Sequence, residues 1–131
     1  MKLLLDTHIW LWSSIAPKRL SRRVSSALFK STNELWLSPF STWEILSLCQ
    51  KGRLTLHADP VQWIQTALTN VPMREATFTQ EVAQATRGIT LSHRDPVDIL
   101  LAASAKVYGL ILVTADELLL SGSGFATLAN R

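Results

Sequence analysis

The sequence predicts an α/β fold, a three-layer α/β/α sandwich whose central parallel sheet has about four to five strands. Short apolar runs alternate with segments of helical periodicity from the first residues to the last. That alternation is typical of a parallel sheet covered by helices on both faces. No repeat, low-complexity segment or linker divides the chain, so residues 1–131 are expected to form a single domain.

The candidate strands are short apolar segments bounded by polar or turn residues. The first is Leu3-Leu4-Leu5, which ends in Asp6. Such an unbroken run fits a strand buried on both faces, although a buried helix has a similar pattern. Residues 71–73 include Pro72, which cannot donate a ladder hydrogen bond, so this strand is expected at a sheet edge. The remaining candidate strands span residues 34–37, 110–113 and 125–128.

Helices are predicted where apolar residues recur at helical spacing between start and stop residues. A serine or aspartate followed by proline is typical of a helix start, and a glycine of a helix end. Ser38-Pro39 and Asp95-Pro96 fit the first pattern, and Gly52 and Gly109 fit the second. The predicted helices span residues 21–30, 38–51, 59–69, 79–86, 95–108 and 115–120.

The overall composition narrows the class of protein. The chain has a formal charge of +3 and a sequence pI of about 9.4, a mild basic balance that favours polyanionic partners such as nucleic acid. Cys49 is the only cysteine, which excludes an internal disulfide and fits a reducing compartment. No signal-peptide pattern and no apolar run of membrane-spanning length occur, so a cytoplasmic protein without membrane contact is expected.

Four acids stand where the predicted strands end or the following helices begin: Asp6, Glu44, Asp98 and Asp116. The carboxyl ends of parallel strands meet at one edge of a sheet, so these side chains are expected to converge there. Four carboxylates in one place repel one another. A hard divalent cation such as Mg²⁺ removes that repulsion and can orient water for attack on a phosphodiester.

Each acid also has an ordinary structural explanation, which for Asp6 is a turn from the strand into the following loop. Asp95 and Asp98 are both candidates for capping the helix that starts at Pro96, and the spacing leaves open which of them does so. Glu44 completes a capping-box pattern with Ser41, and Asp116 near a helix start is favoured by the helix dipole. Aspartate is depleted in strands, so Asp6 is the acid least explained by secondary structure alone.

Four motifs, in order along essentially the whole chain, resemble those of PIN-domain ribonucleases, and more narrowly of VapC-type toxins of toxin–antitoxin pairs. They are Leu3-Leu4-Leu5-Asp6-Thr7, Ser41-Thr42-Trp43-Glu44-Ile45, His93-Arg94-Asp95-Pro96-Val97-Asp98 before Leu101-Ala102-Ala103, and Val113-Thr114-Ala115-Asp116. Many relatives have phenylalanine and arginine where this chain has Val97 and Ile99. The Ile99 difference removes a cation near the predicted site.

The resemblance implies a PIN-like domain and a metal-dependent endoribonuclease that acts as a toxin. Asp6, Glu44, Asp98 and Asp116 would be its catalytic acids, with Asp6, Asp98 and Asp116 binding Mg²⁺ or Mn²⁺. Asp95 would be a cap or an outer-shell acid. The implied partners are an RNA substrate, an antitoxin protein and a second copy of the chain in a homodimer.

Several further residues are candidates for supporting roles. Thr7 and Thr114 are placed to orient the acids through hydrogen bonds, or to satisfy loop backbone. His93 and Arg94 are candidate RNA contacts, with a solvated loop pair as the alternative. Residues 8–15 lack clean periodicity, so Trp10 and Trp12 in this segment are the candidates for a partner groove.

Two other functions compete with the nuclease. One is a catalytically inert binding module of the same fold. The other is a phosphatase with Asp6 as its nucleophile. That chemistry requires a second acid two residues later, where this chain has His8.

Overall fold

The computed structural model of the chain describes residues 1–131 and contains one five-stranded sheet. All strand pairs are parallel, and the strand order is β3-β2-β1-β4-β5, with β1 at the centre. The strands are β1 (Lys2–Leu5), β2 (Glu34–Leu37), β3 (Arg74–Glu75), β4 (Ile111–Thr114) and β5 (Ala126–Ala129). The predicted α/β fold class is confirmed.

Seven α-helices connect and cover the strands. They are α1 (Thr7–Ile15), α2 (Arg22–Phe29), α3 (Pro39–Gln50), α4 (Pro60–Asn70), α5 (Gln80–Ala85), α6 (Pro96–Tyr108) and α7 (Glu117–Leu120). Short 3₁₀ helices follow α1 at Pro17–Arg19 and α5 at Thr86–Gly88. None of the helices combines the length and apolar character needed to cross a lipid bilayer.

The three leucines of β1 divide between two separate cores, one on each face of the sheet. Leu3 and Leu5 belong to the larger core, which α1 to α4 cover, and Leu4 belongs to the smaller core beneath α6. Successive side chains of a strand point to opposite faces, so both faces of β1 need apolar residues. This explains the unbroken leucine run and holds β1 rigidly at the centre of the sheet.

Helix α6 shows how local sequence sets the position of an element. Asp95 is its N-cap and Pro96 its first residue, and Gly109 ends it with a left-handed φ of 65°. Buried small residues run along the helix, including Ala102 and Ala103. Small side chains let the helix pack closely on the sheet. Because α6 leads into the start of β4, its N-terminal turn lies at the opposite, carboxyl edge of the strands.

Two predicted segments differ from the structure. The edge strand is Arg74–Glu75 instead of 71–73, because Val71 is still the C-cap of α4 and Pro72 has no N–H to donate to a ladder. Its position at the sheet edge agrees with the prediction. Residues 8–15, for which no periodicity was evident, form most of α1, a helix that is buried around much of its circumference.

Candidate active site

The carboxyl edge of the central strands carries an open cleft of about 360 Å³, called here the acidic cleft. Four predicted acids reach it from different elements: Asp6 from the end of β1, Glu44 from α3, Asp98 from α6 and Asp116 from the loop after β4. The full lining comprises Asp6, His8, Trp12, Glu44, Asp95, Asp98, Ala115 and Asp116. The structure therefore brings all four acids together.

Asp6 forms the buried floor of the acidic cleft, with only 8% of its surface exposed. Its Oδ1 accepts a hydrogen bond from the Thr7 backbone N–H at 2.8 Å, and its Oδ2 accepts one from the Thr114 hydroxyl at 2.7 Å. The Asp6 N–H donates to the Val113 carbonyl oxygen at 3.0 Å, which joins the end of β1 to β4. The carboxylate is thus fixed in both position and orientation.

The pKa of Asp6 lies above its ordinary value of 3.8, chiefly because burial penalises the charged form. The hydrogen bonds from Thr114 and Thr7 lower this pKa, nearby Glu44 raises it, and nearby His8 lowers it. Burial outweighs the hydrogen bonds, so ionising the Asp6 carboxyl without a metal ion costs free energy in the folded protein. A cation in the acidic cleft would remove that cost.

Asp98 is the second buried acid and is also 8% exposed. Burial raises its pKa from 3.8 to about 6, against a lowering by its hydrogen bond to His93. The negative charges of Asp95, Asp6 and Asp116 raise the pKa further. His93 Nε2 lies 2.6 Å from Asp98 Oδ2. Raised pKa values of two carboxyl groups in one cleft are typical of functional sites.

The structure separates the roles of Asp95 and Asp98. Asp95 Oδ1 accepts hydrogen bonds from the backbone N–H groups of Val97 and Asp98, at 2.9 and 3.4 Å, and so caps α6. Asp98 makes no capping bond, and its carboxylate lines the cleft and contacts His93 beside it. Pro96 explains the division, because it places the helix start directly after Asp95.

Glu44 is not part of a capping box. Helix α3 begins at Pro39, and Ser38 is its N-cap, accepting from the Phe40 N–H at 3.1 Å. Glu44 therefore lies in the second turn, where its half-buried carboxylate lines the acidic cleft. Asp116, in contrast, does cap a helix, since its Oδ1 accepts from the Leu118 N–H at 2.9 Å.

The donor set of the acidic cleft fits a divalent cation. Ligand atoms of His93, Asp98 and Asp116 all lie within 4.8 Å of one another. Asp6 is outside this group but lines the same cleft, and each of its oxygens accepts a single hydrogen bond. A carboxylate oxygen has two lone pairs, so Asp6 keeps the capacity to bind a metal ion.

The predicted supporting residues differ in how closely they contact the acids. The Thr114 hydroxyl bridges two acids, because it donates to Asp6 and accepts from the Asp116 N–H at 3.0 Å. Thr7 contacts Asp6 through its backbone, and its buried hydroxyl has no hydrogen-bond partner. Arg94 is exposed and borders a separate shallow pocket beside the cleft.

Trp10 and His93 are both more buried than the sequence predicted. Trp10 is 1% exposed and packs against Trp63, and both rings border an apolar pocket of about 370 Å³, so its part in a partner groove stays a prediction. His93 does not form a solvated loop pair with Arg94, because it is half-buried and bonded to Asp98. Trp12 does line the acidic cleft, and the Arg19 guanidinium lies 4.3 Å from its ring centre.

A broader groove of about 730 Å³, called here the α3–α6 groove, adjoins the acidic cleft and shares Glu44 and Asp95 with it. Trp43 lines this groove and is 57% exposed, and Lys51 and Arg53 supply positive charge farther along it. Sequence reasoning did not identify this groove. The local feature of the sequence at this groove is Trp43, a tryptophan one residue before the predicted catalytic acid Glu44.

The sequence matches the family model of the PIN domain over residues 3–121. It is 34% identical over 119 residues to Ribonuclease VapC22 of Mycobacterium tuberculosis, an alignment that covers 90% of this chain and 89% of that protein.

Solved structures share the fold at lower sequence identity. The chain resembles VapBC2 of Rickettsia felis, crystallised with a promoter DNA fragment, with a TM-score of 0.70 and 16% identity over 98% of both chains. It resembles DNA-bound VapBC of Salmonella typhimurium with a TM-score of 0.70 and 17% identity, covering 100% of this chain and 99% of that one.

Proposed function

The chain belongs to the PIN domain family, and on that premise we propose that it is a metal-dependent endoribonuclease that hydrolyses RNA phosphodiester bonds as the toxin of a toxin–antitoxin pair. The observation that carries the proposal is the convergence of Asp6, Glu44, Asp98 and Asp116 in one cleft, with the pKa of Asp6 and of Asp98 raised by burial. Such a concentration of buried carboxylates is costly unless a cation shares the site.

In this proposal Asp6, Asp98 and Asp116 hold Mg²⁺ or Mn²⁺. Oxygen donors suit both ions. When bound, the cation lowers the pKa of coordinated water and offsets negative charge on the phosphodiester. Thr114 fixes the relative positions of two of the ligands, because its hydroxyl donates to Asp6 and accepts from the backbone N–H of Asp116. Outer contacts of this kind orient metal ligands and raise their affinity.

Glu44 is proposed to position the attacking water and accept its proton. It lies close enough to Asp6 to raise that residue's pKa, yet it is less buried than Asp6 or Asp98. A carboxylate at the wall of the cleft can reach a water between itself and the phosphate. No covalent intermediate is required: water attacks the phosphorus, Glu44 accepts the proton of that water, and the P–O bond to the leaving ribose oxygen breaks as that oxygen takes a proton from solvent.

The α3–α6 groove is the proposed path of the RNA strand toward the acids. Trp43 offers an exposed ring on which a base can stack, and Lys51 and Arg53 can contact phosphates. Positive charge in this groove offsets the repulsion between the acidic cleft and the RNA backbone.

The proposed partners are a cognate antitoxin and a second copy of the chain, in the cytoplasm. Support for the antitoxin comes from the VapBC complexes that share the fold. Co-expression with a short neighbouring reading frame, followed by co-purification, would test it. Expression of the chain alone should arrest growth, whereas co-expression should relieve the arrest and the two proteins should co-purify.

The test of the nuclease is RNA cleavage by Asp6→Asn and by a matched control, Asp59→Asn. Asp59 is exposed and caps α4 through a bond to the Gln62 N–H at 3.2 Å, a role that asparagine retains. Asp6→Asn should lose cleavage by at least about 10²-fold, because it removes a charged ligand, whereas Asp59→Asn should cleave like wild type. Full cleavage by Asp6→Asn would overturn the assignment.

The inert binding module makes a different prediction in the same preparation. A folded protein that binds a cation at a hundredfold excess over Kd is stabilised by about 2.7 kcal/mol. No rise in Tm with millimolar Mn²⁺ and no cleavage of RNA would favour the inert module over the nuclease.

A further inference from the structure

His93 contacts an acid of the acidic cleft, yet the proposed carboxylate mechanism gives it no role. It lies in the loop before α6, with 21% of its side chain exposed. Its Nε2 lies 2.6 Å from Asp98 Oδ2, and its buried Nδ1 has no hydrogen-bond partner. The only polar contact of the ring is therefore directed at one of the acids of the cleft.

The ligand atoms around His93 are close enough together to approach one shared metal ion. Nitrogen and oxygen ligands lie about 2.0–2.3 Å from a divalent ion, so two ligands on opposite sides are roughly 4–4.6 Å apart. The ligand atoms of His93, Asp98 and Asp116 all lie within 4.8 Å of one another. One ion between these three atoms would need only small side-chain adjustments.

Building on the proposed metal-dependent function, we propose that His93 is itself a metal ligand through Nε2 and that the site takes a first-row transition-metal ion such as Mn²⁺ in preference to Mg²⁺. Imidazole nitrogen suits transition metals, whereas Mg²⁺ takes oxygen ligands and keeps much of its water. Coordination uses the Nε2 lone pair, so the neutral ring carries its proton on Nδ1. The hydrogen bond to Asp98 is replaced by shared coordination.

The alternative is that His93 only orients Asp98. The two roles predict the same loss of cleavage when His93 is removed, because a poorly oriented Asp98 also weakens the site. They differ in whether a nitrogen nucleus is bonded to the metal. A spectroscopic measurement on the bound ion is therefore the decisive one.

The experiment uses the full chain loaded with Mn²⁺ alone and examined by pulsed electron paramagnetic resonance. Directly coordinated imidazole produces ¹⁴N modulation of the Mn²⁺ signal. The chain has three histidines, so each can be tested singly. Wild type, His8→Asn and His57→Asn should show the modulation, and His93→Asn should lose it. His8 lines the same cleft and is the matched control, and His57 is exposed in the loop before α4.

Isothermal titration calorimetry of the same proteins with Mn²⁺ and Mg²⁺ gives a second readout. The ratio of the Mg²⁺ Kd to the Mn²⁺ Kd should fall about tenfold in His93→Asn and stay unchanged in His57→Asn, because a nitrogen ligand favours Mn²⁺ over Mg²⁺, whereas loss of a group that only orients Asp98 would weaken both ions alike. His93→Gln and a circular dichroism melt separate loss of the ligand from loss of the fold.

Each outcome bears on the proposal. Mn²⁺ that binds wild type without ¹⁴N modulation overturns the His93 assignment and leaves the carboxylate nuclease intact. Modulation that disappears in His8→Asn instead of His93→Asn also overturns it. If the ratio of the two dissociation constants is the same in wild type and His93→Asn, His93 does not set the metal preference and that part of the proposal is refuted. Failure of wild type to bind either ion would overturn the proposed function as well.

Discussion

Replacing Asp98 with asparagine should stabilise the metal-free protein while removing its nuclease activity. The carboxyl group has a pKa of about 6 in the folded protein instead of 3.8, mainly because it is buried. A tenfold change in proton affinity corresponds to ~1.36 kcal/mol, so ionised Asp98 costs the folded state roughly 3 kcal/mol at neutral pH. Partial solvent screening and the weakened bond to His93 reduce the expected gain to about 2 kcal/mol.

The pH dependence of this effect has a defined sign. A carboxyl whose pKa is raised on folding contributes stability that is present below its unfolded pKa and is lost as pH rises through its folded pKa. The stability contributed by protonated Asp98 is thus fully present below about pH 3.8 and is lost as the pH rises through about 6. Asparagine cannot ionise, so Asp98→Asn should be more stable than wild type at pH 7.5, and the difference should shrink at pH 4.5.

Urea unfolding in the presence of a chelator, at both pH values, measures this difference. Asp59→Asn is the control, because it removes an exposed acid outside the cleft. Adding Mn²⁺ at pH 7.5 should reverse the order, since wild type binds the ion and Asp98→Asn binds it weakly. An Asp98→Asn protein that is less stable than wild type at pH 7.5, or whose difference is the same at both pH values, would refute the reasoning.

Four further changes test separate parts of the structure. Thr114→Val removes the hydroxyl that orients Asp6, and calorimetry should show Mn²⁺ affinity reduced about 10–100-fold. Leu4→Ala empties a fully buried position in the smaller core, and urea unfolding should show a loss of about 2–5 kcal/mol. Trp43→Ala at an exposed position should leave the free energy of unfolding within about 0.5 kcal/mol of wild type. The same variant should weaken binding of a non-cleavable RNA by about 1–3 kcal/mol in a fluorescence titration, through lost base stacking. Mn²⁺ affinity should fall roughly tenfold per pH unit below about pH 6, because protons compete for Asp98, and calorimetry at pH 5 and 7 measures this.

These expectations have matched controls and contrary outcomes. Thr69→Val removes an exposed hydroxyl that donates to its own helix backbone, so it should leave Mn²⁺ affinity unchanged. Leu118→Ala, at a 45% exposed position, should cost far less stability than Leu4→Ala. If Trp43→Ala leaves RNA affinity unchanged and instead dissociates a dimer, the α3–α6 groove is a subunit interface. Metal affinity that does not change between pH 5 and 7 would contradict the assignment of Asp98 as a ligand.

The sheet and the positions of the acids could be predicted because their sequence signals are local. Leu3-Leu4-Leu5 followed by an acid indicates a central strand with a functional residue at its carboxyl end. In the structure Asp6 lies at that end of β1 and lines the acidic cleft. Ser38-Pro39 correctly indicated the start of α3, which removes the capping-box explanation of Glu44. In the same way, Pro96 makes Asp95 the cap of α6 and leaves Asp98 to the cleft.

Other features depend on contacts that no short segment encodes. His93 lies in a loop with no periodicity, so nothing in its neighbours indicated that its ring turns back to Asp98. Trp10 and Trp12 follow one another on a largely apolar helix, and only the packing of α1 against Trp63 decides that one is core and the other faces the cleft. The α3–α6 groove arises between two helices about fifty residues apart in the chain, so its lining could not be read from either helix alone.

Metal-dependent cleavage of RNA is the central claim, and a chelation and add-back experiment tests it most directly. Purified protein is dialysed against a chelator, mixed with a labelled single-stranded RNA, and then supplied with Mn²⁺ or Mg²⁺. Cleavage should be absent before the addition and should begin once the metal ion is present, with Asp6→Asn inactive under both conditions. RNA cleavage that proceeds equally well with the chelator present, or that never appears with either ion, would contradict the account.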